Sequence, residues 1–440
     1  MSTTNRTTVA VVVPHYELPH DLELVLTALE LQDHPLELLE VVVADDGSAT
    51  RPEPGPRPYR VSVVAQADEG FRAGAARNLG AAATSGEVLC FLDADTVPEP
   101  GYVSAVVRAV EAGADLVVGR RRHGDLLGTT PEQLRSWLAG GGGWEPEVFE
   151  EPAWLSEAYE RTDDLRSAGD DAYRFVISAV LSTTRELFEA VGGFEEAFSA
   201  YGGEDWELAH RCWLRGATFR HARDAVAWHD GPDFAGRTED EDEARRSRNV
   251  EGLALARFVA GPATRGAASR GLVWEHPDVV VELDLPGGAA GDVEGVEDAD
   301  VVACVRSLLA GSDAGVWLVG ASGGSGSSVV GALDDPRVHL GEVPPAVLGR
   351  CRYRVRLDVP VLLEGATLAE LAEVAPVRVG AHLLVRRARD DHRDDGAEAF
   401  TLEAPGVTAE RPRAPDLQRT FGREDHQRTP QFSRPSRSPG

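Results

Sequence analysis

After a polar start, Val9–Val13 is an unbroken apolar run with no alternation, the pattern of a strand buried on both faces. From Asp21 to Leu31 the spacing becomes helical and places Leu22, Val25, Leu26 and Leu29 on one face. Glu40–Ala44 predicts a second strand, closed by the turn sequence Asp45-Asp46-Gly47-Ser48. Beyond the Pro-rich loop Arg51–Pro58, Arg60–Ala65 predicts a third strand and Ala73–Thr84 a helix. Glu87–Leu92 is a fourth buried strand that stops at Asp93. Tyr102–Ala112 then reads as helix and Asp115–Gly119 as strand. This alternation predicts an α/β domain with a doubly wound, mostly parallel sheet.

The pattern weakens from Arg120 to Tyr173, a segment with Gly140–Gly143 and three tryptophans, and reads as an insertion. It resumes with a strand at Phe175–Ser182, a helix at Arg185–Val191, Gly192-Gly193-Phe194, a helix at Tyr201–Arg215 and a short strand at Ala225–Trp228. The charged stretch Gly231–Asn249 precedes a closing helix, Val250–Val259. A Gly/Ala/Pro-rich stretch, Gly261–Arg270, marks a boundary and ends a first domain at about residue 262. Residues 271–400 form a smaller second α/β domain, with strands at Val279–Leu285, Val316–Val319 and Tyr353–Leu357 and helices at Asp300–Leu309 and Thr367–Val374. Residues 404–440, rich in Arg and Pro, read as a disordered tail. Phe91-Leu92-Asp93, a helix and Asp115–Arg122 resemble Arg356-Leu357-Asp358, a helix and Val377–Arg387. The second domain is therefore either a degenerate copy of the first or an unrelated α/β unit.

Composition narrows the function. The 440 residues carry a net charge of −29, which disfavours nucleic acid as a partner because phosphate would be repelled. There is no Lys, so Arg carries all 44 positive charges and must serve any anionic substrate. The four Cys lack the close pairing of a zinc site, which points to a reducing, cytoplasmic setting. No transmembrane segment is predicted, since no apolar run approaches roughly 18 residues.

Five places carry candidate chemistry. Asp93-Ala94-Asp95 follows a buried strand, and residues two apart in extended chain point the same way. Two carboxylates at the carboxyl end of such a strand suit Mg²⁺ or Mn²⁺ holding a diphosphate; alone, the motif is also an ordinary solvated turn. Asp46 in the earlier turn is either a base or ribose acceptor or an Asx turn. Gly202-Gly203-Glu204-Asp205-Trp206-Glu207 opens a helix; its acids are capping residues or supply a general base, Gly203 admits a sugar close to the backbone, and Trp206 is core or a stacking face. His229 follows a short strand as a structural imidazole or a metal ligand. Arg72 and Arg77, near the start of a helix, are surface cations or nucleotide contacts.

Taken in order, Val11-Val12-Val13-Pro14-His15-Tyr16-Glu17, Asp45-Asp46-Gly47-Ser48, Arg77-Asn78-x-Gly80, Phe91-Leu92-Asp93-Ala94-Asp95, Gly192-Gly193-Phe194-Glu195-Glu196 and Gly203-Glu204-Asp205-Trp206-Glu207-Leu208-x-x-Arg211 resemble the family 2 glycosyltransferases of the GT-A fold. The last of these, with Trp228-His229, resembles the branch of bacterial polysaccharide polymerases and polypeptide N-acetylgalactosaminyltransferases. The resemblance spans about residues 8–260 and makes the first domain the catalytic one. It implies transfer from a nucleotide-diphospho-sugar, a UDP-sugar foremost, to a glycan, lipid-linked or small-molecule acceptor with inversion. Pro14, Tyr16, Glu17, Asp46, Arg72, Arg77, Asn78, Asp93, Gly203 and Trp206 would contact the nucleotide-sugar. Asp93, Asp95 and His229 would hold Mn²⁺ or Mg²⁺, and Asp205, with Glu204 beside it, would be the base. A catalytically silent nucleotide-sugar-binding or scaffold protein is the alternative. A nucleotidyltransferase is disfavoured, because Pro14–Pro19 offers no Gly-rich phosphate loop with a cation.

Overall fold

Val9–His15 forms strand β1, with its first five residues fully buried, as an unbroken apolar run requires when sheet neighbours and helices cover both faces. The computed structural model describes residues 7–198, 202–232, 241–266, 269, 271–285, 296–320, 325–392, 402–404 and 406–412. Two compact units result, residues 1–266 with 391–393 and residues 267–390 with 394–440.

In the first unit β1 is followed by α1 (Pro19–Leu29), β2 (Leu39–Asp45), β3 (Arg60–Ala65), α2 (Ala73–Ala82), β4 (Val88–Leu92), β5 (Thr96–Pro98), α3 (Tyr102–Glu111), β6 (Leu116–Gly124), α4 (Pro131–Leu138), β7 (Val148–Phe149), α5 (Ala153–Arg161), β8 (Val180–Thr184), α6 (Arg185–Val191), α7 (Glu204–Leu214), β9 (Phe219–Asp230) and α8 (Glu241–Phe258). Across the sheet the order is β3-β2-β1-β4-β8-β6-β9-β5, with β7 on β6. Strands β3, β2, β1 and β4 are parallel. The chain leaves β1 towards β2 and returns to β4 on its other side. A crevice therefore opens at the carboxyl ends of β1 and β4, the usual ligand site of open α/β sheets. The doubly wound, mostly parallel sheet expected from the sequence is the architecture found.

The differences cluster where tertiary contacts decide. The expected strand Phe175–Ser182 is a 3-10 turn at Ala172–Phe175 and a strand only from Val180. The residues between are drawn under α7, where the Ser178 amide donates to Asp205. Helix α7 starts at Glu204, not Tyr201, because Gly203 caps it with φ 92°. The short strand at Ala225–Trp228 is part of the 12-residue β9, which pairs with β6 across a bulge at Gly119/Arg120. The irregular segment after Arg120 contains α4, β7 and α5, and Trp137 packs edge-on against both Trp144 and Trp228. Of the charged stretch Gly231–Asn249, residues 233–240 lie outside the described residues, and 241–249 belong to α8.

The second unit runs β10 (Val279–Asp284), α9 (Asp298–Leu309), β11 (Ala314–Val319), α10 (Ser325–Leu333), β12 (Val338–Leu340), α11 (Pro345–Leu348), β13 (Tyr353–Leu357), β14 (Leu362–Glu364), α12 (Leu368–Glu373), β15 (Val377–Val379), β16 (Leu383–Arg387), β17 (Leu402–Glu403) and β18 (Thr408–Glu410). The tail expected from residue 404 begins later: Thr408–Glu410 pairs with β14, and Ala409 is buried. Beyond 412 the expected tail lies outside the described residues.

Candidate functional site

The ends of β1 and β2 are tied together by polar side chains. His15 Nδ1 lies 3.1 Å from Asp45 Oδ1 and 3.3 Å from Ser48 Oγ. Asp46 is buried; one carboxylate oxygen accepts from the Arg72 amide at 2.9 Å and the other from the Gln66 side chain. Gly47 sits at φ +91°, and a Cβ there would lie 2.3 Å from the Asp68 nitrogen, so the turn admits only glycine. Glu17 takes the left-handed conformation at φ 54°; its amide donates to Ser48 Oγ and its carboxylate accepts from the Ala49 amide. Tyr16 is half exposed beside Asp68. Pro14, Tyr16, Glu17, Asp46 and Arg72 thus gather at one sheet edge, although the Arg72 guanidinium pairs with Glu69.

Arg77 occupies the centre of the site. It is buried on α2, with Nη2 donating to Asp93 Oδ1 at 2.7 Å and Nη1 to Glu204 Oε1 at 3.0 Å. Burial alone would weaken its charge, but Asp93 and then Glu204 more than offset this and hold its pKa above the ordinary value. Arg77 therefore positions two carboxylates rather than presenting a free cation to a nucleotide. Asn78 is likewise committed: its amide accepts from the Phe194 N–H at 2.8 Å and donates to the Phe194 carbonyl at 2.9 Å. Gly193, at φ +73°, has no room for a Cβ against Asn78. Arg211 completes this clamp by donating to the Val191 and Gly193 carbonyls while paired with Glu207.

Strand β5 brings Asp95 to His229. Thr96 faces His229 in the β5–β9 ladder, and Asp95 Oδ2 lies 3.5 Å from His229 Nε2. The Asp230 amide donates to the Asp95 carbonyl at 2.9 Å. Two residues not singled out in the sequence join them. His123 of β6 faces His229 in the adjoining ladder, with ring centroids 5.2 Å apart. The carboxyl group of Asp21, on α1, is pushed up by burial and then by the negative field of Asp230 and Asp95, partly opposed by His20. Among the described residues, no three His, Cys, Asp or Glu side chains converge as a metal-holding group. Arg77 holds one oxygen of Asp93, and Asp95 lies against His229. Even so, a carboxylate oxygen and an imidazole nitrogen in a locally negative field fit Mn²⁺ or Mg²⁺ whose other positions are filled by phosphate and water.

Glu204 and Asp205 begin α7. Glu204 is buried between Arg77 and Ser178 Oγ. Asp205 keeps some solvent contact, and its oxygens accept from the Trp206 and Ser178 amides. Its carboxyl is pushed up to about 7, by desolvation first and Glu204 second, against the two amides and Arg77. A carboxylate with that affinity is matched to proton abstraction near neutrality. Gly203 is required by packing, since a Cβ would meet Leu255 and Phe198 at 3.0 Å. Trp206 stands half-buried, edge-on to Tyr173.

Two family models match parts of the chain. Residues 10–166 match the model for glycosyl transferase family 2, and residues 167–227 that for the N-terminal domain of galactosyltransferase. The chain is 28% identical over 263 residues to the hyaluronan synthase of Pasteurella multocida, covering 55% of this chain and 26% of that protein. It is 32% identical over 233 residues to the validoxylamine A glucosyltransferase of Streptomyces hygroscopicus subsp. jinggangensis, covering 49% and 54% respectively. The chain thus spans about a quarter to a half of these relatives. Among solved structures, the mannosyltransferase PcManGT from Pyrobaculum calidifontis, in complex with GDP-Man and Mn²⁺, is similar with a TM-score of 0.39 at 20% identity, over 59% of this chain and 67% of that one.

Proposed function

We propose that the first unit, whose residues 10–166 match the model for glycosyl transferase family 2, is a metal-dependent, inverting glycosyltransferase drawing on a nucleotide-diphospho-sugar, a UDP-sugar foremost. One observation carries the reading: Arg77 joins the Asp93 end of β4 to the Glu204-Asp205 start of α7, while Asp95 meets His229 at the same strand end. The nucleotide would lie over Pro14, Tyr16, Glu17 and Asp46. Asp95 and His229 would hold Mn²⁺ or Mg²⁺, with Asp93 beside them. A divalent cation there supplies positive charge to the departing diphosphate.

The remaining work falls to protein groups. Asp205 takes the proton from an acceptor hydroxyl as that oxygen bonds to the anomeric carbon, and the bond to the diphosphate breaks on the opposite face. Glu204 and Arg77 set the basicity of Asp205 and hold it in place. The acceptor is a glycan, a lipid-linked sugar or a small molecule. No helix among the described residues is long and apolar enough to cross a membrane.

The test is a panel of UDP- and GDP-sugars with Mn²⁺ and acceptor glycans, read as release of free nucleoside diphosphate. Release with one donor, lost in Asp205→Asn, is expected. No release with any donor, together with no metal-linked UDP binding, would favour a scaffold protein.

A further inference from the structure

The second unit repeats the strand plan of the first. Its sheet order is β12-β11-β10-β13-β16-β15-β17, against β3-β2-β1-β4-β8-β6-β9. Strands β12, β11, β10 and β13 are parallel, as are β3, β2, β1 and β4. Strand β16 inserts antiparallel between β13 and β15, as β8 does between β4 and β6. Strand β17 runs parallel to β15, and β18 antiparallel to β14; β9 pairs with β6 and with β5 in those same senses. Insertion of a later strand between two earlier ones departs from the usual pairing of sequential strands. Its recurrence, with every orientation kept, is poorly explained by two unrelated α/β units.

The ladders equate individual residues. Val9 faces Leu39 and Val88, and Val279 faces Ala314 and Tyr353. Counting on, Asp93-Ala94-Asp95 corresponds to Asp358-Val359-Pro360. Val97 faces Trp228 as Leu362 faces Glu410, so His229 corresponds to Arg411. The other edge agrees: Val117 faces Arg220 as Val377 faces Leu402, and the same count again pairs His229 with Arg411. Pro360 has no donor group, and Arg411 is a permanent cation that would repel a divalent ion. The buried His15–Asp45 pair is replaced by Leu285 and Gly320. Residues 380–382 stand where 125–179 join β6 to β8, and 388–401 stand where 185–218 carry α6 and α7. At 14 residues against 34, the link is too short in sequence for α6 and α7 together.

We propose that the second unit is a reduced copy of the first that has lost its donor-binding and base chemistry, leaving one donor site per chain. This rests on the reading of the first unit as a donor site. Isothermal titration of the full chain with UDP in Mn²⁺ is expected to give one site. Asp95→Ala, which leaves the Arg77 pairs intact, should lose the Mn²⁺-linked part of that binding, and Asp358→Ala should keep affinity and turnover within about twofold. Two sites, or residual binding in Asp95→Ala that Asp358→Ala abolishes, would overturn the proposal. Absence of any site in the parent would instead overturn the donor reading on which the comparison stands.

Discussion

Asp93 and Glu204 lie on elements far apart in sequence and are held by one buried guanidinium, that of Arg77, at 2.7 and 3.0 Å. The donor end of β4 and the base end of α7 are thereby fixed to each other. Replacing Arg77 with Met leaves two acids facing each other without their cation. Loss of one member of such a buried set costs about 3–5 kcal/mol. Urea denaturation should show a loss of that size, and a loss under about 1 kcal/mol would contradict the bridging role.

The raised affinity of Asp205 for a proton fixes the sign of two pH effects. As the base it must be ionised, so kcat/KM should fall about tenfold per pH unit below its pKa of about 7. Its folded pKa lies above the unfolded value of about 3.9, so ionisation opposes folding. That penalty is absent below the unfolded value and complete above pH 7. Asp205→Asn should therefore be more stable than the parent at pH 8 and equal to it near pH 3, while transfer drops by about 10²–10⁴. A variant no more stable at pH 8 would refute the assigned desolvation.

Asp95 and His229 are 3.5 Å apart, and this pair carries the metal proposal. In His229→Ala the dependence of UDP affinity on Mn²⁺ should disappear, while the metal-free affinity stays near that of the parent. Titration with and without Mn²⁺ reads both. Unchanged metal dependence would exclude the imidazole as a ligand.

Asn78 distinguishes a clamp from a nucleotide contact. Its amide makes two hydrogen bonds to the Phe194 backbone. Asn78→Ala should cost about 1–3 kcal/mol, because buried backbone groups lose their partners. The donor KM should change little, measured under conditions where the variant is folded. A KM raised more than about tenfold at unchanged stability would return Asn78 to the nucleotide.

The apolar runs determined most of the fold. Val9–Val13, Val41–Val43 and Val88–Leu92 have no polar face to expose, so burial in a parallel sheet follows from them alone. Arg60–Ala65 and Tyr353–Leu357 even have the expected ends. The carboxylates closing β2 and β4 and opening α7 were legible for the same reason, since each punctuates a strong periodic pattern. Partnership was not legible. Arg77 and Asn78 read as ligand contacts because their sequence neighbourhood says nothing of Glu204 or Phe194, which lie 127 and 116 positions away. His123 and Asp21 carried no local signal, and only the pairing of β6 with β9 and the packing of α1 give them a place near the site. Hydrophobic periodicity is a local property and is written in the chain. The field at Asp205 and the company of Asp95 depend on which distant side chains share a desolvated volume, and only the folded structure decides that.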